Sequence, residues 1–177
     1  MGFLRTLLIR LGLVKTKVGL LIVGLSNSGK STVVARLTKE PVEEVVPTVG
    51  FAMESVKMEG LSVTIFDMSG NNRYHELWKL YYKDTTAVIF VLDAADPARF
   101  PEAETVLQEL FKADLLKKVP ILFFCNKMDL ETAARPAEVA AALHLPSASS
   151  RGFQLQSCSA LRGDGIKEGM QWLLDQV

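Results

Sequence analysis

Eight residues, Gly24-Leu25-Ser26-Asn27-Ser28-Gly29-Lys30-Ser31, set two glycines, an amine and a hydroxyl in one short stretch behind the apolar run Val18 to Val23. That spacing suits phosphate. Glycines let the backbone curl until several N–H groups face phosphate oxygens, and a helix starting at the end of the stretch offers its positive terminus to the same anions. Lys30 is expected to reach the β and γ phosphates of a nucleoside triphosphate and Ser31 a magnesium ion, with Thr32 next in the cradle. A second candidate follows the run Leu61 to Phe66, where Asp67-Met68-Ser69-Gly70 puts a carboxylate and a glycine N–H at a strand end. Asp67 can hold magnesium, usually through water, and Gly70 can meet the γ phosphate. Alone, Asp-x-x-Gly is an ordinary turn. Its place relative to the first stretch is what counts.

Such groups need elements that bring them to one edge. The runs Val18 to Val23, Ala87 to Leu92 and Ile121 to Phe124 are short, continuous and rich in Val, Ile and Phe, as parallel strands covered on both faces are. Helical patterns lie between them, for example Ala103, Val106, Leu107, Leu110, Phe111 and Leu115 on one stripe. This alternation predicts an α/β fold wound on a central sheet. Residues 51–58 and 61–67 are separated by Glu59-Gly60, which predicts an antiparallel hairpin at the sheet edge. Gly163-Asp164-Gly165 before Ile166, Met170, Leu173 and Leu174 predicts a closing helix. In sheets of this kind ligands sit beyond the carboxyl ends of the strands.

With 177 residues and 49% hydrophobic content, one well-buried domain is expected. Twenty basic residues balance twenty acidic ones, which gives no overall bias toward nucleic acid. The balance hides a basic arm: Arg5, Arg10, Lys15 and Lys17 stand in the first 17 residues with no acid. Cys125 and Cys158 have no metal-ligand or CxxC spacing, so free thiols in a cytosolic chain are expected. No apolar run approaches the roughly 20 residues that cross a bilayer. A cleaved targeting peptide is disfavoured because the first strand begins near Val18.

A third strand end carries Asn126-Lys127-Met128-Asp129, which resembles the Asn-Lys-x-Asp element by which GTPases select guanine. A carboxylate at Asp129 can accept from both N1–H and the 2-amino group, donors that adenine lacks. Lys127 supplies an aliphatic stem for the base, and Asn126 can tie this loop to the phosphate loop. Ser159-Ala160 is similar to the element whose backbone N–H meets the guanine carbonyl, and Thr48, in Pro47-Thr48-Val49-Gly50, to the switch threonine that ligates magnesium when the γ phosphate is present.

Gly50-Phe51, Gly2, the basic arm, Phe66-Asp67-Met68-Ser69-Gly70, Leu77-Trp78 and Tyr81-Tyr82 resemble the ADP-ribosylation-factor and factor-like family over essentially the whole chain. Within it they are most similar to the Arf-like branch that recruits the BBSome coat for ciliary membrane traffic. The resemblance implies a P-loop G-domain over residues 18–177: a mostly parallel six-stranded sheet, one antiparallel edge hairpin and helices on both faces. It implies GTP, GDP and Mg²⁺ as ligands, an exchange factor and an activating protein as partners, and a monomer at cytoplasmic membranes of the cilium or its base. Phe51, Phe66, Trp78 and Tyr81 are the implied effector surface, although Phe66 replaces a tryptophan common in the family. The hairpin is implied to slide when GTP replaces GDP, releasing the amino-terminal helix.

That arm, residues 1–17, has its own physical reading. Phe3, Leu4, Leu7, Leu8 and Leu11 fall on one helical face, with Arg5 and Arg10 elsewhere, which suits the headgroup layer of a membrane. Met1-Gly2-Phe3-Leu4-Arg5-Thr6 fits the pattern for myristoylation of Gly2. One acyl chain binds membranes only marginally, with a constant on the order of 10⁴ M⁻¹, so the helix is the second signal.

For hydrolysis, Lys30, Thr48, Gly70 and Asn71 are the expected participants. The family usually has glutamine where this chain has Asn71, whose side chain is shorter by roughly 1.5 Å, one carbon bond length. Slow intrinsic turnover is expected, with an activating protein that supplies an arginine. Three alternatives remain at this point: a GTP-binding scaffold that has lost hydrolysis, a general Arf-like vesicle-traffic GTPase with other effectors, and a P-loop small-molecule kinase, against which Asp129 argues.

Overall fold

The computed structural model describes residues 17–145 and 152–177. Gly2 and the arm through residue 16 lie outside the described residues, and Lys17, expected to end the arm, opens the first strand. Six strands, β1 (Lys17–Val23), β2 (Phe51–Met58), β3 (Leu61–Met68), β4 (Ala87–Asp93), β5 (Ile121–Asn126) and β6 (Phe153–Ser157), form one sheet in the order β2-β3-β1-β4-β5-β6. All neighbouring pairs are parallel except β2 with β3. That hairpin turns at Glu59 and Gly60, both with positive φ, as a two-residue turn matched to strand twist requires. Among the described residues five α-helices accompany the strands: α1 (Lys30–Thr38), α2 (His75–Trp78), α3 (Phe100–Lys112), α4 (Pro136–Ala142) and α5 (Ile166–Asp175).

Side chains alternate across each strand, so the continuous apolar runs supply two cores. On one face Leu20, Ile22, Ile65, Ile89 and Phe124 pack with Val33 and Leu37 of α1 and Met170 and Leu173 of α5. On the other, Leu21, Val23, Val88, Phe90 and Phe123 pack with Leu107 and Leu110 of α3 and Val139 of α4. The runs are continuous because both faces are covered. Order reverses at β1, which feeds α1 between β3 and β4, and the crevice for a ligand opens beyond that point.

Among the described residues no helix is long and apolar enough to cross a membrane. Cys125 and Cys158 are free and buried, and burial pushes both thiols up, Cys125 to about 12.

Candidate functional site

The turn from β1 into α1 carries residues 24–29. Gly29 caps α1 with φ 94°, and a Cβ there would lie 2.2 Å from Asn126 Nδ2. Glycine is needed on both counts. No side chain caps the helix, so its first N–H groups remain for an anion. Asn27 has φ 63°, a left-handed conformation that asparagine tolerates. Lys30 is buried, and its Nζ donates to the Leu25 carbonyl at 2.7 Å across the curl of the loop. Burial lowers its pKa to about 8, opposed by Asp67 and reinforced by Arg99. A cleft of about 690 Å³ opens here, lined by Ser26, Asn27, Gly29 to Thr32, Val45 to Val49, Ser69 to Asn71, Arg73 and Tyr74.

Three segments meet at one carboxylate. Ser31 Oγ donates to Asp67 Oδ2 at 2.7 Å, Thr48 Oγ1 donates to the same oxygen at 2.9 Å, and the two hydroxyls are 2.7 Å apart. Burial raises the Asp67 pKa, while the two hydroxyls and Lys30 pull the other way. Asp67 Oδ1 is buried without a partner. A buried carboxylate oxygen left unpaired is costly, and a cation or its water is the natural complement. The donors are one carboxylate and two hydroxyls. Magnesium prefers such hard oxygens, needs few of them from protein and keeps several waters, so the set fits that ion. Among the described residues no cluster of three or more His, Cys, Asp and Glu forms.

At the far end β5 delivers Asn126, which bridges two loops: Nδ2 donates to the Ser28 carbonyl at 2.8 Å and Oδ1 accepts from the Ala160 N–H at 2.8 Å. The first bond is the expected tie to the phosphate loop. The second engages the N–H expected to meet the guanine carbonyl, so that donor would be shared with the base. Lys127 stands at φ 66° with its ammonium 2.6 Å from Asp93 Oδ2, which lays its stem along the strand ends. Asp129 Oδ1 accepts from Ser159 Oγ at 2.6 Å, and that bond holds its carboxyl below the usual range. It is a ready-made acceptor.

Gly70 passes close to the phosphate loop, where a Cβ would lie 2.3 Å from the Leu25 carbonyl carbon. Asn71 borders the cleft, but its side chain is engaged. Its Oδ1 accepts from Arg73 N at 3.2 Å and Arg73 Nε at 3.4 Å, capping the 3-10 turn Asn72–Tyr74. His75 is half-buried against Trp78, its Nε2 is 3.3 Å from the Gly70 carbonyl, and burial lowers its pKa. A neutral ring that donates from Nε2 to that carbonyl keeps only Nδ1 as an acceptor.

Two residues of the expected effector surface are buried in this structure. Phe66 is 7% exposed beneath Tyr81, with ring centroids 4.9 Å apart, and Trp78 is 2% exposed with Nε1 donating to the Ser69 carbonyl. Both are covered by the segment that follows Gly70. Phe51 stays exposed beside Tyr81, and Val46, Val49 and Met53 add the apolar surface that the sequence reading missed.

Arg36, Asp93 and Arg99 were also missed. Arg36 of α1 donates through Nε to the Ala160 carbonyl at 2.9 Å and through Nη2 to the Leu161 carbonyl, holding the base-side loop. Asp93 anchors Lys127, and Arg99 reaches Ser26. Each acts through contacts distant in sequence, and no spacing rule marks them.

A crevice with a phosphate cradle, an oxygen triad and a carboxylate poised for a purine, on a sheet of this order, defines a small GTPase. The ADP-ribosylation factor family model matches residues 4–177, and the chain belongs to that family. It is 40% identical over 171 residues to ADP-ribosylation factor-like protein 6 of Danio rerio, covering 94% of this chain and 92% of that protein. It is also similar to the structure of the Arl6 BBS3 small GTPase from Trypanosoma brucei with bound nucleotide analogue GppNp, with TM-score 0.83 and 33% identity over 90% of this chain and 96% of that one. The chain binds GTP and GDP and hydrolyses GTP, as the family does.

Proposed function

We propose that this GTPase is a magnesium-dependent switch that acts at membranes of the cilium or its base and recruits a coat complex of the BBSome type in its GTP form. The observation that carries the switch is the meeting of Thr48, Ser31 and Asp67, which ties the 45–49 segment to the phosphate loop. Ser31, Thr48 and Asp67 would hold the ion. Magnesium, when bound, neutralises charge on the phosphate oxygens. Lys30 and the N–H groups of residues 24–32 bind the phosphates, Gly70 faces the γ phosphate, and Asn126, Lys127, Asp129, Ser159 and Ala160 hold the base. Water attacks the γ phosphorus, the bond to the bridging oxygen breaks, and GDP and phosphate leave. Asn71 is engaged in its cap, which supports slow turnover without an activating protein. A myristoyl group on Gly2 and the arm supply membrane attachment, and Phe51, Tyr81, Val46, Val49 and Met53 supply the partner face. An exchange factor resets the cycle, and the chain works as a monomer peripheral to cytoplasmic membranes.

The choice of coat draws on the likeness to proteins named ADP-ribosylation factor-like protein 6 and Arl6. Pull-down from ciliated-cell extract on the chain loaded with a non-hydrolysable GTP analogue should enrich BBSome subunits at least tenfold over the GDP-loaded chain. Equal recovery, or recovery of a different coat only, rejects that partner.

A further inference from the structure

Arg99 ends the 3-10 turn Pro97–Arg99 just before α3, whose first turn carries Glu102. Its guanidinium spreads over two residues. Nη1 donates to the Ser26 carbonyl at 2.8 Å, Nη2 lies 3.4 Å from the Ser26 hydroxyl, and Nε donates to Glu102 Oε2 at 2.9 Å. The other oxygen of that carboxylate accepts from Asn72 Nδ2 at 3.5 Å. Asn72 directly follows Asn71 and begins the turn that Asn71 caps. One carboxylate and one guanidinium therefore connect the segment after Gly70 to the phosphate loop.

With side chains 33% and 38% exposed, the Arg99 and Glu102 pair adds little to stability by itself. Its value lies in what it joins. Gly70 already presses on the Leu25 carbonyl, which fixes how closely the two segments approach. Contact of that kind does not stop sideways sliding; a directional link does. Phe100 and Ala103 are buried at the start of α3, so the link is mounted on a fixed base. The planar guanidinium can hold the Ser26 carbonyl and the Glu102 carboxylate at once in a set geometry, which a lysine ammonium cannot reproduce.

We propose that Asn72, Glu102 and Arg99 are positioning residues for GTP hydrolysis, holding the segment that bears Gly70 and Asn71 in register with the Ser26 turn of the phosphate loop. The link matters to the reaction because an offset of about 1 Å at the reacting atoms can slow a step on the order of 10²-fold. A longer route through three side chains is softer, so a smaller effect is expected.

The test is a double-mutant cycle on the full chain, with single-turnover GTP hydrolysis and GDP dissociation as readouts. Asn72→Ala and Glu102→Ala should each slow hydrolysis on the order of fivefold, and the double variant should be no slower than the slower single, because one chain is cut in each. Asn72→Ala should leave GDP dissociation within about twofold, since its side chain bonds Glu102 rather than the loops that hold the phosphates and the base. Glu102→Gln, which keeps an acceptor for Arg99, should recover part of the loss. Both altered side chains are at least partly exposed, so melting temperatures should stay within a few degrees; Arg99→Lys, which tests the fork itself, is not needed for the cycle. Unchanged hydrolysis in Asn72→Ala, or losses that multiply in the double variant, overturns the proposal.

Discussion

Asp129→Asn is expected to weaken GDP binding on the order of 10⁴-fold and to make xanthosine diphosphate the better ligand. The carboxylate is half-buried and held below the usual range by the Ser159 hydroxyl, so it meets a base as a pure acceptor. Guanine answers with two donors, N1–H and the 2-amino group. An asparagine amide turns one acceptor into a donor and sets it against that amino group, whereas xanthine has a carbonyl at the same place. A polar site that loses its matched partner pays twice, through the missing bond and the group left unpaired. Competition against a fluorescent GDP analogue measures both affinities. A fall of less than about tenfold in GDP affinity would show that Asp129 does not read the base.

The second large effect is at Asn71, where Asn71→Gln is expected to speed single-turnover hydrolysis on the order of 10²-fold. Asparagine caps the turn it precedes, because its short side chain folds back to the N–H two residues on. Glutamine is too long for that bond and is released toward the cleft, where its amide can orient the attacking water. The lost cap should lower stability by about 1 kcal/mol, which a melting curve would register separately from the rate. Unchanged or slower hydrolysis in the variant removes the claim that reach limits the parent. An activating protein that supplies an arginine should also accelerate the variant less, in proportion, than the parent.

Much of the site was legible because it is made of short local patterns at strand ends. The glycines and Lys30 mark the phosphate loop by spacing alone, and the Asn126 to Asp129 run follows a continuous apolar strand. Glu59-Gly60 marked the hairpin because few turns close two strands in two residues. The aromatic face was harder to read. On one side of β3, Ser62, Thr64, Phe66 and Met68 pass from exposed to buried along the strand, since the segment that follows covers only its carboxyl half. The family resemblance put Phe66 on that face, and its burial appears only once the following segment is in place. Trp78 was placed there by the same resemblance, and an indole's type gives no sign of whether its N–H meets water or, as here, the Ser69 carbonyl. Arg36 and Arg99 were invisible because a surface arginine on a helix looks the same whether it faces solvent or a loop far along the chain. The Asn71 substitution was legible as a change of length, but its cap emerged only once the backbone after it had turned.

The central claim is that the crevice reads guanine at one end and grips phosphate at the other. Calorimetric titration of the nucleotide-freed chain in magnesium buffer tests it directly, with GTP and ATP compared side by side. GTP is expected to bind at least on the order of 10³-fold more tightly than ATP, because only guanine pairs both donors with Asp129. Equal affinities for the two nucleotides would contradict it.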